Sequence, residues 1–259
     1  MNPLYFGTSQ RPLFGVYHPP RARTVRPTGI VLCYPMGQEY MRAHRAFRQL
    51  ANLLSKAGFH VLRFDYSCTG DSGGDTEAAD VTRWVEDLGN AIDELKDTAG
   101  VTRVSLVGLR VGAAIAALGR ASRKDVDRIV LWDPVVSGAD YVQSLLEAGG
   151  SGARQAADRG ETIGVQGFPI SAGLRSGLAS IDLGTLPTEG TARLAVVVSE
   201  DRPEYGALRD RLGERRIPLA YQCIPSAGNW GEIDRWGSAL LPQAIIQGIV
   251  ATLSEGTAS

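Results

Sequence analysis

Apolar residues along this chain gather in short unbroken runs, GIVLCY, HVLRFD, VSLV, RIVLW, LAVVVS and AYQCI, separated by longer stretches whose apolar positions recur every three or four residues. A strand buried on both faces needs an unbroken apolar run, and the three-to-four spacing is that of a helix with one apolar stripe. Their alternation predicts an α/β fold: a mostly parallel sheet covered by helices on both faces. Residues 4–7 and 13–18 read as an opening antiparallel hairpin, followed by strands at 29–34, 60–65, 104–107, 128–132, 194–199 and 220–224, eight in all. Helices are predicted at 42–56, 79–96, 111–120 and 204–215, with Gly58 and Gly100 as left-handed caps of the first two. A last amphipathic helix is predicted over about 240–253, before the polar tail SEGTAS.

The stretch of about residues 135–191 is too long for a plain crossover and reads as an insertion. Within it, 141–148 is predicted as helix, GGSGARQAADRG as a mobile loop, and GFPISAGLRSGLASIDL as one or two further helices. In an open α/β sheet, ligands bind outside the carboxyl ends of the strands, so such an insertion is expected to form a small helical lid there. No repeat or linker divides the chain, and a single domain over 1–259 is expected.

Composition narrows the partners. Apolar residues at 44% and charged residues at 21% exclude the signature of disorder, and a net charge of −1 gives no field to gather nucleic acid or an anionic membrane. Arg21, Arg23 and Arg26 sit among prolines and read as a solvated loop. Cys33, Cys68 and Cys223 are odd in number and widely spaced, which fits reduced thiols rather than a disulfide framework or zinc site. The N-terminus lacks the pattern of a secretion signal, so a cytoplasmic protein without a membrane partner is expected. The turn CTGDSGGD lacks the Walker spacing, and no cofactor is expected.

The chemistry concentrates in RVSLVGLRVGAAIAALG, where an apolar run enters Gly108-Leu109-Arg110-Val111-Gly112 and a small-residue helix follows. This is the setting of the G-x-S-x-G nucleophile elbow of the α/β-hydrolase fold, where glycines permit a strained turn that lifts the middle side chain above the sheet. Arg110 occupies the serine position. Arginine keeps its proton and is no nucleophile, which excludes serine-type acyl transfer through this elbow. The triad order on this fold is serine, acid, histidine. His18, His44 and His60 all precede the elbow. Downstream, Glu200 and Asp201 stand where the acid usually lies, and Gly228, Asn229 and Trp230 fill the stretch that should supply the histidine.

The segments GQEYMRAHRAFRQLANLLSKAGFHVLRFDYSCTGDSGGD, GLRVGA and LWDPVVSGADYVQSL resemble the α/β-hydrolase-like proteins associated with the exosortase A system and, more distantly, the serine aminopeptidase-like group. The likeness runs from about residue 29 to 148. It implies the fold, the turn after the third strand and a small-molecule or acyl substrate. Relatives of this type include some with arginine at the elbow, so the resemblance also implies that Arg110 is a subgroup trait.

At a helix N-terminus, Arg110 and free N–H groups suit a carboxylate or phosphate; the alternative is an internal ion pair with Asp133 or Asp201. The turn carrying Met36, Gly37, Gln38 and Glu39 corresponds to the oxyanion-hole loop, whose N–H would meet that of Val111. His44 is the histidine nearest that edge, as proton carrier or packing residue. Cys68 borders the pocket with no histidine placed to activate it. Asn229 would border the pocket, and Trp230 and Trp236 would wall the pocket or the core. Catalytic candidates are thus Arg110, Asp133, Asp201 and His44; substrate-binding candidates are Met36, Gly37, Gln38, Glu39, Val111, Cys68, Asn229 and Trp230. The expected function is non-covalent catalysis (a lyase, cyclase, isomerase or water-assisted hydrolase) on a carboxylate- or acyl-bearing small molecule of a biosynthetic pathway. The alternative is a pseudo-hydrolase serving as a binding or scaffold subunit, and a homodimer is compatible with the chain.

Overall fold

The computed structural model describes residues 1–185, 192–232 and 240–255. Two antiparallel strands open the sheet, β1 (Asn2–Thr8) and β2 (Arg11–His18), and β2 runs antiparallel to β4 (His60–Phe64). The remaining neighbours are parallel: β3 (Thr28–Cys33), β5 (Arg103–Leu109), β6 (Val126–Trp132), β9 (Arg193–Val198) and β10 (Leu219–Cys223). Their order is β1-β2-β4-β3-β5-β6-β9-β10, so all eight strands expected from the apolar runs lie in one sheet.

The runs are unbroken because both faces are covered. On one face Ile30 and Leu32 of β3 pack with Phe47 and Leu50 of α1 (Gly37–Lys56) and Ile245 and Ile249 of the last helix (Gln243–Ser254). On the other, Val31 and Cys33 meet Trp84 and Leu88 of α2 (Val81–Ala99) and Ile115 of α3 (Val111–Gly119). Each large side chain so buried contributes about 1.5–3 kcal/mol. Gly58 and Gly100 take the left-handed conformations expected after α1 and α2, at φ 94° and 65°. The first helix starts earlier than its pattern predicts. Gln38 and Glu39 belong to its first turn, and Tyr40 N–H donates to Met36 O at 3.3 Å, so the expected oxyanion turn is in part helical.

Between β6 and β9 lie α4 (Gly138–Asp158), a hairpin of β7 (Ile163–Val165) and β8 (Phe168–Ile170), and α5 (Ala172–Ala179). Two expectations need correction here. The stretch 149–160, expected as a mobile loop, is helical to Asp158 after a bend at Gly150, because Ala153, Arg154, Gln155, Ala156 and Ala157 are strong helix formers. The start of GFPISAGLRSGLASIDL is a strand rather than a helix, paired through the turn at Gln166 and Gly167, both at positive φ. The end of the expected insertion (186–191), Trp236 and the tail from residue 256 lie outside the described residues. Among the described residues no helix is long and apolar enough to cross a membrane.

Candidate active site

β3 and β5 are neighbours, with Cys33 opposite Gly108, and the chain leaves β3 toward β4 on one side and returns to β5 on the other. Their carboxyl ends therefore form a topological switch point, the usual ligand crevice of such sheets. There Arg110 is held at φ 55° and ψ −120°, a strained conformation for a residue with a side chain. Three backbone bonds fix it: Arg110 N–H to Trp132 O (3.1 Å), Ala113 N–H to Arg110 O (3.1 Å) and Val135 N–H to Arg110 O (3.3 Å). Gly108 and Gly112 are required because a Cβ on the first would strike Gly112 backbone, and one on the second would strike the carbonyls of Cys33 and Tyr34. Val111, at the first position of α3, has an N–H with no intrahelical acceptor.

The guanidinium is anchored on two sides. Arg110 Nε donates to Glu39 Oε1 at 2.9 Å and Nη1 donates to Asp133 O at 3.1 Å, while Tyr141 donates its hydroxyl to Glu39 Oε2 at 3.1 Å. The Arg110 Cζ also stands 5.8 Å from the centre of the Tyr141 ring. Burial works against the charge on Arg110, and Glu39, together with the Tyr205 and Tyr141 side chains, more than offsets it and holds the guanidinium above its ordinary pKa. Burial, then the Glu39 charge, pushes the Tyr141 phenol well up, so it remains a donor. Arg110 Nη2 has no hydrogen-bond partner among the described residues.

This corrects the expected counter-ion. Asp133 offers Arg110 only its backbone carbonyl; its carboxylate accepts from Ser199 N–H (2.7 Å), Ser199 Oγ (2.9 Å) and Trp230 Nε1 (2.9 Å). Asp201 lies exposed and accepts from the Tyr221 hydroxyl at 2.7 Å, away from Arg110. Glu39 was expected only as a pocket residue, since a partner 71 positions away leaves no trace in spacing. Its one sequence signal is an acidic residue in the first turn of a helix, where the dipole favours it.

Trp230 stands in the loop expected to supply the histidine and gives Asp133 a ring N–H. An indole can donate but cannot accept, so no proton passes through it. Trp230→Phe keeps the edge-to-face contact with Trp132 (5.3 Å between centres) but deletes one donor to a buried carboxylate. It is expected to lower stability by about 2 kcal/mol, read by urea unfolding; a change below about 0.5 kcal/mol would mean that Ser199 alone satisfies Asp133.

A cavity of about 310 Å³ opens over Arg110, at the lower end of the range of small-molecule sites. Of the expected binding residues, Met36, Gly37, Gln38, Glu39, Asn229 and Trp230 line it; Tyr141, Leu145, Gln166 and Phe168 from the insertion complete its walls, with Arg202 at one side. The side chain of Val111 is buried, which leaves its amide as the candidate donor it was expected to be. Two expectations fail. His44 is exposed on α1, stacked against Tyr34 (6.3 Å between centres), and does not line the cavity. Cys68 faces a neighbouring cavity, and burial pushes its thiol pKa up, away from nucleophilic use.

The model of the serine aminopeptidase S33 family matches residues 28–162, just over half of the chain, from β3 through Glu39, Arg110, Asp133 and Tyr141. The chain belongs to this family. No curated protein matches it in sequence. Solved structures match the fold over nearly the whole chain. Est1E from Butyrivibrio proteoclasticus, with bound ferulic acid, is 14% identical with a TM-score of 0.74, over 97% of this chain and 96% of that one. The bottromycin epimerase BotH, in complex with bottromycin A2, is 18% identical with a TM-score of 0.64 over the whole of both chains. Alpha/beta hydrolase domain-containing protein 10 from mouse is 15% identical with a TM-score of 0.63, over 98% of each. At these identities the S33 chain shares with them the α/β-hydrolase fold.

Proposed function

We propose that this protein is an enzyme that acts on a carboxylate- or acyl-bearing small molecule without a covalent acyl-enzyme, and that its chemistry is proton transfer beside a carbonyl. The observation that carries this reading is Arg110. It is delivered by the strained elbow to the floor of a cavity, fixed by Glu39 and the Asp133 carbonyl, with Nη2 left for an anionic head group or a developing oxyanion. The Val111 amide at the start of α3 adds a second donor. Glu39 replaces Asp133, Asp201 and His44 as the proton carrier, because it is the candidate carboxylate on the cavity wall already touching Arg110. The insertion serves as the lid. BotH, an epimerase on this fold, is an analogy for such chemistry.

The test is exchange in deuterated water. Alkanoates and acyl thioesters offered to the full chain are expected to gain deuterium beside the carbonyl, read by mass spectrometry. Arg110→Met should weaken binding of the acids at least tenfold, and Glu39→Gln should stop the exchange while binding persists. Binding without exchange would favour the second reading, a pseudo-hydrolase used as a binding or scaffold subunit. What favours that reading is the Asp133 carboxylate, wholly taken up by Ser199 and Trp230.

A further inference from the structure

Beside the cavity over Arg110 lies a second one of about 190 Å³, between α1, the loop after β4 and the insertion. Met36, Gly37 and Phe168 line both, so the two cavities share a wall. Their chemistry differs. The first holds Arg110, Glu39 and Arg202, whereas no charged side chain among the described residues lines the second. Apart from the exposed Thr76 hydroxyl at its wall, its polar side chains are already committed within the protein: Tyr40 donates its hydroxyl to Asp65 at 2.9 Å, Thr69 Oγ1 donates to Tyr66 O at 2.8 Å, and Trp84 Nε1 donates to Ser67 O at 3.1 Å. What remains to face a ligand is carbon and sulfur, from Met36, Cys68, Ala79, Trp84, Phe168 and Leu174. Met41, 57% exposed, extends this apolar surface to the rim.

A dry apolar cavity of about 150 Å³ admits a benzene ring. The second cavity is somewhat larger, and no charged side chain lines it among the described residues. We infer that it is the subsite for an apolar arm, a ring or short alkyl group, on the same molecule whose acidic or acyl head lies at Arg110. The substrate is then amphipathic, and small polar acids are poor ligands. This inference rests on the reading of Arg110 as the head-group clamp, and Met36, Gly37 and Phe168 are the residues between head and arm.

The experiment is calorimetric binding of ω-phenylalkanoates, from phenylacetate to 6-phenylhexanoate, against alkanoates of the same chain lengths and the matching neutral phenylalkanols. At least one phenylalkanoate is expected to bind tenfold or more tightly than its plain alkanoate, at the spacing that sets the ring in the apolar cavity. Ala79→Phe, which fills that cavity, should abolish this increment while leaving alkanoate affinity unchanged. Thr76→Trp, at an exposed position on the cavity wall, should do the same without a buried substitution. Thermal unfolding confirms that each variant folds. Arg110→Met should weaken all the acids and leave the phenylalkanols unchanged. If both filling variants fold and the ring increment survives, or if no increment exists in the unsubstituted protein, the subsite is overturned while the clamp stands. If Arg110→Met leaves the acids unchanged, the clamp fails, and loss of phenylalkanol binding in Ala79→Phe would still retain the subsite. No detectable binding of any probe at millimolar concentration overturns both.

Discussion

Glu39→Ala is expected to destabilise the folded protein by about 3 kcal/mol, the cost of leaving a buried charge without its partner. The side chains of Glu39 and Arg110 are only 9% and 18% exposed, so removing the carboxylate strands a guanidinium in a site that water reaches poorly. Burial already opposes the charge on Arg110, and Glu39 is the only carboxylate among the groups that offset it. Tyr141 loses its acceptor in the same step. Arg110→Met should be damaging for the mirror reason. The double variant leaves no lone charge, and is expected to fall well short of the sum, with a coupling of about 2–3 kcal/mol. Urea unfolding of the four proteins measures it. Additive losses would mean that the two groups are solvated separately and that the ion pair does not hold the elbow side chain in place.

Acid should unfold this protein sooner than its carboxylates alone require. His18 is 1% exposed on β2, and its Nε2 accepts from Arg63 Nε at 3.1 Å. Burial, and then the charge of Arg63, lowers the His18 pKa to about 4. In the unfolded chain the imidazole takes up its proton near pH 6.5. Between those values the unfolded state holds more protons, so stability falls as pH falls through the window, by up to about 3 kcal/mol for a shift of this size. Below about pH 4 this group contributes no further loss. His18→Gln keeps an acceptor but does not titrate. The difference between the two proteins across pH 7 to 4 isolates the histidine from Asp65 and Asp87, whose pKa values burial raises and which act in the opposite sense. Parallel pH profiles for the two proteins would overturn the assignment.

The strands were legible because a parallel strand between two helical layers admits few polar positions, such as Arg63 in β4 or Ser105 in β5, which leaves a mostly apolar run that spacing identifies. Arg110 was legible for a related reason, since a strand, two glycines and a small-residue helix constrain one another within a few positions. The hairpin of β7 and β8 was not. Each strand is three residues long, and its signal was the Gln166-Gly167 pair, whose left-handed turn carries more information than the flanking Ile163, Val165 or Ile170. Least legible were the partners. Asp133 and Trp230 lie 97 positions apart and Glu39 and Tyr141 lie 102 apart, and only the folded chain brings them together. His44 failed as a candidate because position near a sheet edge does not say which face of α1 a residue occupies.

The elbow at residue 110 behaves as a socket. Its geometry is set by Gly108, Gly112 and three backbone hydrogen bonds, none of which involves the side chain it presents. Whatever residue is fitted there is delivered to the same point above the sheet, so the frame and the reagent are separable parts. Likeness of frame, even at a TM-score of 0.74, therefore does not fix the reaction. Among proteins built on this socket, a single codon can divide one class of chemistry from another.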